Sequence, residues 1–149
     1  PNTEDRFLQD TAGVIEGCEA VKTNSCLPLI LKVSAGHDVS QIVKGVGGFV
    51  EAFSINSVPW AMIFPSHQSP LEHLGGGGVS GKVAQPFTWG LAKKLARLTA
   101  IPVIWPSMWE PDDVQKAKSF GAKAVSFGSV FLRYPSRPTL CVRKELKRN

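Results

Sequence analysis

The feature of this chain that most restricts its fold is the regular alternation of short apolar runs with amphipathic segments. Four runs have the length and the composition of buried strands: 27–33, 49–58, 101–106 and 124–130. The intervening segments place apolar residues at helical spacing: 11–22, 39–46, 87–99 and a segment from Pro111 to Gly121. Strands that alternate with helices in this way predict right-handed crossovers and a parallel sheet. The fold class is therefore α/β.

The helix ends carry their own signals. Asp38 is a good N-cap for the segment 39–46, and Gly47 and Gly48 are suited to ending it. Pro111 fits the first turn of the last predicted helix. Asp112 and Asp113 complement the positive end of that helix, and Gly121 stops it.

Four strand–helix units make half of a (β/α)₈ barrel, which has about 250 residues when complete. We therefore expect half of such a barrel, and a chain of this kind would be a fragment because four strands cannot close. A doubly wound open sheet of four or five strands is the structural alternative.

Composition restricts the function classes further. The 149 residues suffice for one domain, and no run approaches the roughly 20 apolar residues of a membrane helix. Three cysteines without metal-binding spacing favour a reduced, cytoplasmic setting. The residues from Arg133 onward carry a net charge of +5, equal to that of the whole chain, and we expect the basic segment 135–149 to be a solvated tail rather than a nucleic-acid arm.

Polar residues occur where two of the predicted strands end. Lys32 interrupts the apolar run of the first strand, and a buried lysine must find an anion or lose its proton. Asn56, next to Ser57 at the end of the second strand, offers donors and an acceptor to a planar polar ligand. The alternatives are a lysine that extends to solvent and a turn-forming asparagine.

The segment 75–81 contains five glycines in seven residues. It has neither the Walker sequence nor the G-x-G-x-x-G spacing, so we expect a loop that approaches a ligand closely, with a flexible linker as the alternative. Gly128 and Ser129 end the last strand, where backbone amides can meet a phosphate. The three histidines show no metal or nucleophile spacing.

Five ordered motifs, spread over residues 1–134, together resemble the C-terminal half of dihydroorotate dehydrogenase, an FMN-dependent barrel enzyme. They are Pro1-Asn2-Thr3, Leu31-Lys32-Val33-Ser34, Ser54-Ile55-Asn56-Ser57-Val58, Gly77-Gly78-Val79-Ser80-Gly81, and the stretch from Gly121 to Ser129. The resemblance implies about strands 5 to 8 of a (β/α)₈ barrel in residues 1–134, followed by the basic tail 135–149.

The resemblance also implies which residues bind which molecule. Substrate would contact Asn2, Asn56 and Ser57. The family usually has Gly-Gly in the phosphate turn, where this chain has Trp105-Pro106-Ser107-Met108. FMN would contact Lys32, Gly77, Gly78, Ser80, Gly81, Ser107, Met108, Gly128 and Ser129. The general base is expected upstream of Pro1.

The function implied is the FMN-dependent oxidation of dihydroorotate to orotate in pyrimidine biosynthesis. Its partners would be that substrate, the missing N-terminal half of the barrel and a second copy in a homodimer, without nucleic acid or metal. Two alternatives stay open. One is a related flavin barrel that acts on another pyrimidine, and the other is a half-barrel without catalysis that binds a phosphorylated ligand or self-associates.

Overall fold

A computed structural model describes residues 10–147 and places a parallel four-stranded sheet at the centre of the molecule. The strands are β1 (Ile30–Val33), β2 (Ala52–Ile55), β5 (Val103–Trp105) and β6 (Ala124–Val125). They lie side by side in chain order, and all three neighbouring pairs are parallel. The α/β class and the parallel sheet predicted from the sequence are therefore confirmed.

Helices connect these strands. They are α1 (Thr11–Asn24), α2 (Val39–Val46), α4 (Gln85–Leu98) and α5 (Asp113–Ser119), and two helices follow the last strand, α6 (Val130–Arg133) and α7 (Arg137–Leu146). The bounds of α2 are those predicted, because the Asp38 carboxylate accepts hydrogen bonds from Ser40 N and Gln41 N. Gly121 follows α5 with φ of +93°, a conformation that favours glycine.

The two faces of the sheet differ in burial. One face carries Val33, Phe53, Val103 and Trp105, all buried and packed into a core with α2, α4 and α5. The opposite face carries Ile30, Lys32, Ala52, Ser54, Ile104 and Ala124, none of them buried. Within residues 10–147 the core therefore lies on one side of the sheet, as happens when successive crossovers all pass over the same face.

This uncovered face corrects the prediction for the first strand. Burial on both sides was expected for residues 27–33, but Leu27 is 70% exposed and Ile30 is 52% exposed. Lys32 is also exposed, so the expectation of a buried lysine is wrong. The apolar run 27–33 reflects a face of the sheet that the described residues leave uncovered. It does not indicate an apolar environment around the Lys32 ammonium group.

The region 58–79, which leads into and includes most of the glycine-rich segment 75–81, contains a second small sheet. Strand β3 (Val58–Pro59) pairs antiparallel with β4 (Gly78–Val79), and a short helix α3 (Trp60–Ile63) follows β3. The Trp60 indole donates a hydrogen bond to the His67 carbonyl, and the Ser69 hydroxyl binds the Gly76 carbonyl. These contacts give the segment a defined shape, so a flexible linker is not what forms here.

The basic segment at the C-terminus is folded instead of solvated. Helix α7 buries Pro138 and Cys141 against the body of the protein. The side-chain amide of Gln115 in α5 donates to both Glu145 carboxylate oxygens at 2.7 Å. Lys144 pairs with Asp112 at 2.7 Å. Lys144 and Glu145 thus dock the helix against α5 and its N-cap residue.

Candidate functional site

Two adjoining cavities open at the carboxyl ends of β1 and β2. Both are lined by Lys32, Asn56 and Ser57, so these three residues form the wall that the cavities share. Carboxyl ends of parallel strands are where α/β proteins place their ligands. The residues predicted from strand ends are therefore brought together at the carboxyl ends of the strands.

The smaller cavity, of about 300 Å³, collects polar residues from five separate parts of the chain. Besides Lys32 and the end of β2, Ser80 and Gly81 come from the glycine-rich segment, Ser107 from the turn after β5, and Gly128 and Ser129 from the turn after β6. The polar lining also includes Ser54, Thr88 and Ser126, and no carboxylate of the described residues lines it. A cavity with hydroxyls, one ammonium group and no acidic side chain suits an anionic ligand.

The larger cavity, of about 690 Å³, lies on the other side of Lys32. The predicted residues Gly77 and Gly78 line it together with the Trp60 and Phe64 rings, whose centroids are 4.6 Å apart. Its volume is in the range of pockets that hold drug-sized molecules. It combines aromatic walls with the Asn56 amide, which are the groups that bind a flat polar ring.

Hydrogen bonds tie the ends of β1 and β2 to each other at the cavity wall. Asn56 N donates to the Val33 carbonyl at 2.8 Å. Ser34 N donates to Nδ1 of His37 at 2.8 Å, so neutral His37 carries its proton on Nε2. His37 lines the larger cavity and was missed from the sequence, although its place four residues after the end of β1 was the available signal.

The turn that carries Ser107 is unusual in its backbone. Ser107 has φ of +58°, and it is the single non-glycine residue between 10 and 147 with a positive φ. Left-handed backbone costs an L-residue of this kind about 1–2 kcal/mol. The Thr88 hydroxyl lies 3.1 Å from Ser107 Oγ, which fixes the side chain at the cavity wall.

Of the predicted site residues, one does not reach these walls and another falls outside the part of the chain that the structure describes. Met108 is 1% exposed and packs in the hydrophobic core, and it is not among the described residues that line either cavity. Asn2 lies outside the described residues. The sequence pattern around Met108 did not distinguish a turn residue that faces ligand from one that faces the core.

Charged groups near the Ser107 turn are paired. Lys82 donates to Glu110 at 2.8 Å, and together with nearby Arg137 it holds the pKa of that carboxyl below its ordinary value.

Burial raises the pKa of the Cys18 and Cys141 thiols, so neither thiol is activated as a nucleophile.

The donor set of the smaller cavity suits an anionic group, and the adjoining cavity has room for a flat ring beside Asn56 and Lys32. Within residues 10–147 no three His, Cys, Asp or Glu side chains are grouped as a metal site. In the same range, no helix combines the length and the apolar character that crossing a bilayer requires.

No protein-family model matches the chain, and no curated protein matches it either. Any assignment of function therefore depends on the residues themselves and on their arrangement.

Proposed function

We propose that this chain is the second half of an FMN-dependent dihydroorotate dehydrogenase, folded as about strands 5 to 8 of a (β/α)₈ barrel. One observation carries the proposal: residues assigned to FMN from four distant motifs line one cavity. They are Lys32, Ser80, Gly81, Ser107, Gly128 and Ser129. Such convergence is expected for a real site and is not a consequence of the sequence order alone.

The sheet supports the barrel part of the proposal. Its strands follow in chain order, whereas a doubly wound sheet reverses direction at a switch point. Its uncovered face carries Lys32 and Ser54 with small or aliphatic neighbours, as the inner face of a barrel does. Four further strands would cover that face and pair with the open edges of β1 and β6.

When bound, FMN would supply the hydride acceptor for the oxidation. The chain's own residues would place the substrate and the charge. The Asn56 amide would hold the edge of the pyrimidine, with Ser57 beside it on the same wall. Lys32 would set a positive charge between the two cavities, where negative charge develops during hydride transfer. We assign the proton-abstracting base to the upstream part of the barrel.

The test uses the protein expressed from its complete reading frame. We expect bound FMN after purification and loss of the oxidised-flavin absorbance when dihydroorotate is added without oxygen. Dihydrouracil and dihydrouridine, which can also donate a hydride to flavin, serve as comparison substrates for a related flavin barrel. A protein that neither holds FMN nor bleaches reconstituted flavin with dihydroorotate would overturn the proposal. We place this enzyme in the cytoplasm, since its three cysteines are free thiols.

A second candidate is a half-barrel without catalysis that self-associates. It is favoured by exposed apolar side chains near both edge strands of the sheet. Ile30 lies in edge strand β1, and Leu132, which is 92% exposed, lies in the helix that follows edge strand β6. Sedimentation of the 149-residue chain separates the two candidates. A stable dimer that binds a phosphorylated ligand but shows no flavin chemistry would favour the second.

A further inference from the structure

The turn 106–110 is held by side chains at almost every residue. The Trp89 indole donates to the Pro106 carbonyl at 3.0 Å. The Asp113 Oδ2 atom accepts from the backbone N–H of both Trp109 and Glu110 at 2.9 Å. Arg137 donates to the Trp109 carbonyl at 3.0 Å. A turn held from α4, α5 and α7 is fixed far more firmly than a connection between two elements requires.

One side chain joins these restraints to the strained residue. The Gln85 amide nitrogen donates to the Ser107 carbonyl at 2.8 Å and to Asp113 Oδ2 at 2.9 Å. Gln85 is the first residue of α4, and residues 82–84 separate it from the glycine-rich segment 75–81. It therefore ties Ser107 to the carboxylate that orders the rest of the turn.

Backbone strain of this kind persists only when the surroundings impose it, and it is concentrated at binding sites. Ser107 lines the smaller cavity, whose described lining combines hydroxyls and one lysine with no carboxylate. The strained conformation is thus maintained at the point where the cavity would receive an anion.

We propose that Gln85 is a positioning residue that holds the Ser107 turn in the shape that receives a phosphate monoester. It does not itself line the cavity among the described residues, and it acts through the backbone of Ser107. The inference rests on the proposed function for the identity of the ligand, FMN, and on the cavity chemistry for the phosphate.

The test compares FMN with riboflavin, which lacks the phosphate. In Gln85→Met we expect FMN to bind about tenfold more weakly, the loss that follows from about 1.4 kcal/mol, while riboflavin changes less than about twofold. The matched control is Gln115→Met, because Gln115 is also half-buried and its amide also makes two hydrogen bonds, both to Glu145. That control should leave both affinities unchanged.

A second variant addresses the strain directly. Glycine adopts φ near +58° without cost, so in a Ser107→Gly background the turn depends less on its restraint. We expect Gln85→Met to weaken FMN binding by less than about threefold in that background, as coupled residues do. An undiminished tenfold effect would show that Gln85 does not act through Ser107.

Further outcomes are decisive. Equal losses for FMN and riboflavin, or the same loss in Gln115→Met, would overturn the inference. A protein that binds no flavin but is stabilised by ribose 5-phosphate, with the effect lost in Gln85→Met, would refute the proposed function and support the inference. Absence of binding to both FMN and ribose 5-phosphate would overturn the inference as well.

Discussion

The hydroxyl of buried Ser34 donates a hydrogen bond to the backbone carbonyl of Ser57 at 3.1 Å, joining the end of β1 to the segment that follows β2. Ser34 N also binds His37, so one residue fixes two parts of the wall between the cavities. The geometry of the shared wall therefore depends on a side chain that is itself only 6% exposed.

Removal of this hydroxyl should destabilise the protein. For Ser34→Ala we expect a loss of about 1 kcal/mol in the free energy of unfolding, because the Ser57 carbonyl loses its buried partner. Urea unfolding measures the change. Ser136→Ala is the control, since Ser136 is exposed and makes no side-chain cap bond. Equal stability of both variants would contradict the structural role given to Ser34.

Lys32 should affect chemistry more than folding. Its side chain is exposed on the open face of the sheet, so Lys32→Met should change stability by less than about 0.5 kcal/mol. Under the proposed function, the rate of flavin reduction by dihydroorotate should fall about 100-fold, as when one electrostatic donor is removed. Stopped-flow absorbance measures that rate. Lys123→Met, at the opposite end of the sheet, should leave it unchanged.

Two glycines of the smaller cavity should respond differently to a methyl group. Gly81 has φ of +113° and ψ of −172°, a region that is almost closed to other residues. Gly81→Ala should therefore cost about 1–3 kcal/mol in thermal unfolding. Gly128→Ala is the control, because no atom lies within 4 Å of its added Cβ and its φ is not positive. If Gly81→Ala were as stable in thermal unfolding as the unsubstituted protein, the prediction of backbone strain at residue 81 would be wrong.

Acid should weaken the contact between α1 and the start of β2. Glu51 accepts hydrogen bonds from the Lys22 ammonium and from Leu29 N at 2.6 Å, and these lower the pKa of its carboxyl. A lowered pKa gives stability that is complete above the ordinary value of about 4.3 and is lost as the pH falls through the folded-state value.

The measurement is the urea midpoint between about pH 6 and pH 3. In Glu51→Gln the acid decline should be shallower than in the unsubstituted protein. Exposed Glu16 provides the control, and Glu16→Gln should retain the original slope. Identical acid limbs for Glu51→Gln and the unsubstituted protein would count against this contact.

Much of the sheet was predictable because its signals are local. The run at 27–33 and the N-cap at Asp38 depend on neighbouring residues, and both elements formed where expected, although β1 is shorter. The strand predicted over 124–130 shortens to Ala124–Val125, because Val130 begins α6. Strand ends likewise placed Lys32 and Asn56 at one edge.

Other parts depend on contacts between residues far apart in sequence. The pairing of β3 with β4 involves two residues on each side and is supported by the Trp60–His67 bond, which no periodic pattern reveals. Helix α7 was missed because its basic residues indicated a segment exposed to solvent. In the structure Gln115 binds Glu145 and Asp112 pairs with Lys144, and neither partner is close in sequence. Met108 is buried next to the left-handed turn at Ser107. A serine in the sequence does not predict that backbone conformation.

The division of the sheet into a buried face and an open face has a consequence for how such a chain could change over generations. Substitutions in the core behind Phe53 and Val103 should alter stability, while under the proposed function those at strand ends such as Asn56 should alter what is bound. Since the core residues and the strand-end residues lie in different parts of the fold, selection can adjust ligand preference without changing the packing of the interior. Ser34 is the exception, because it is buried and also lines the larger cavity, and it should tolerate the fewest replacements.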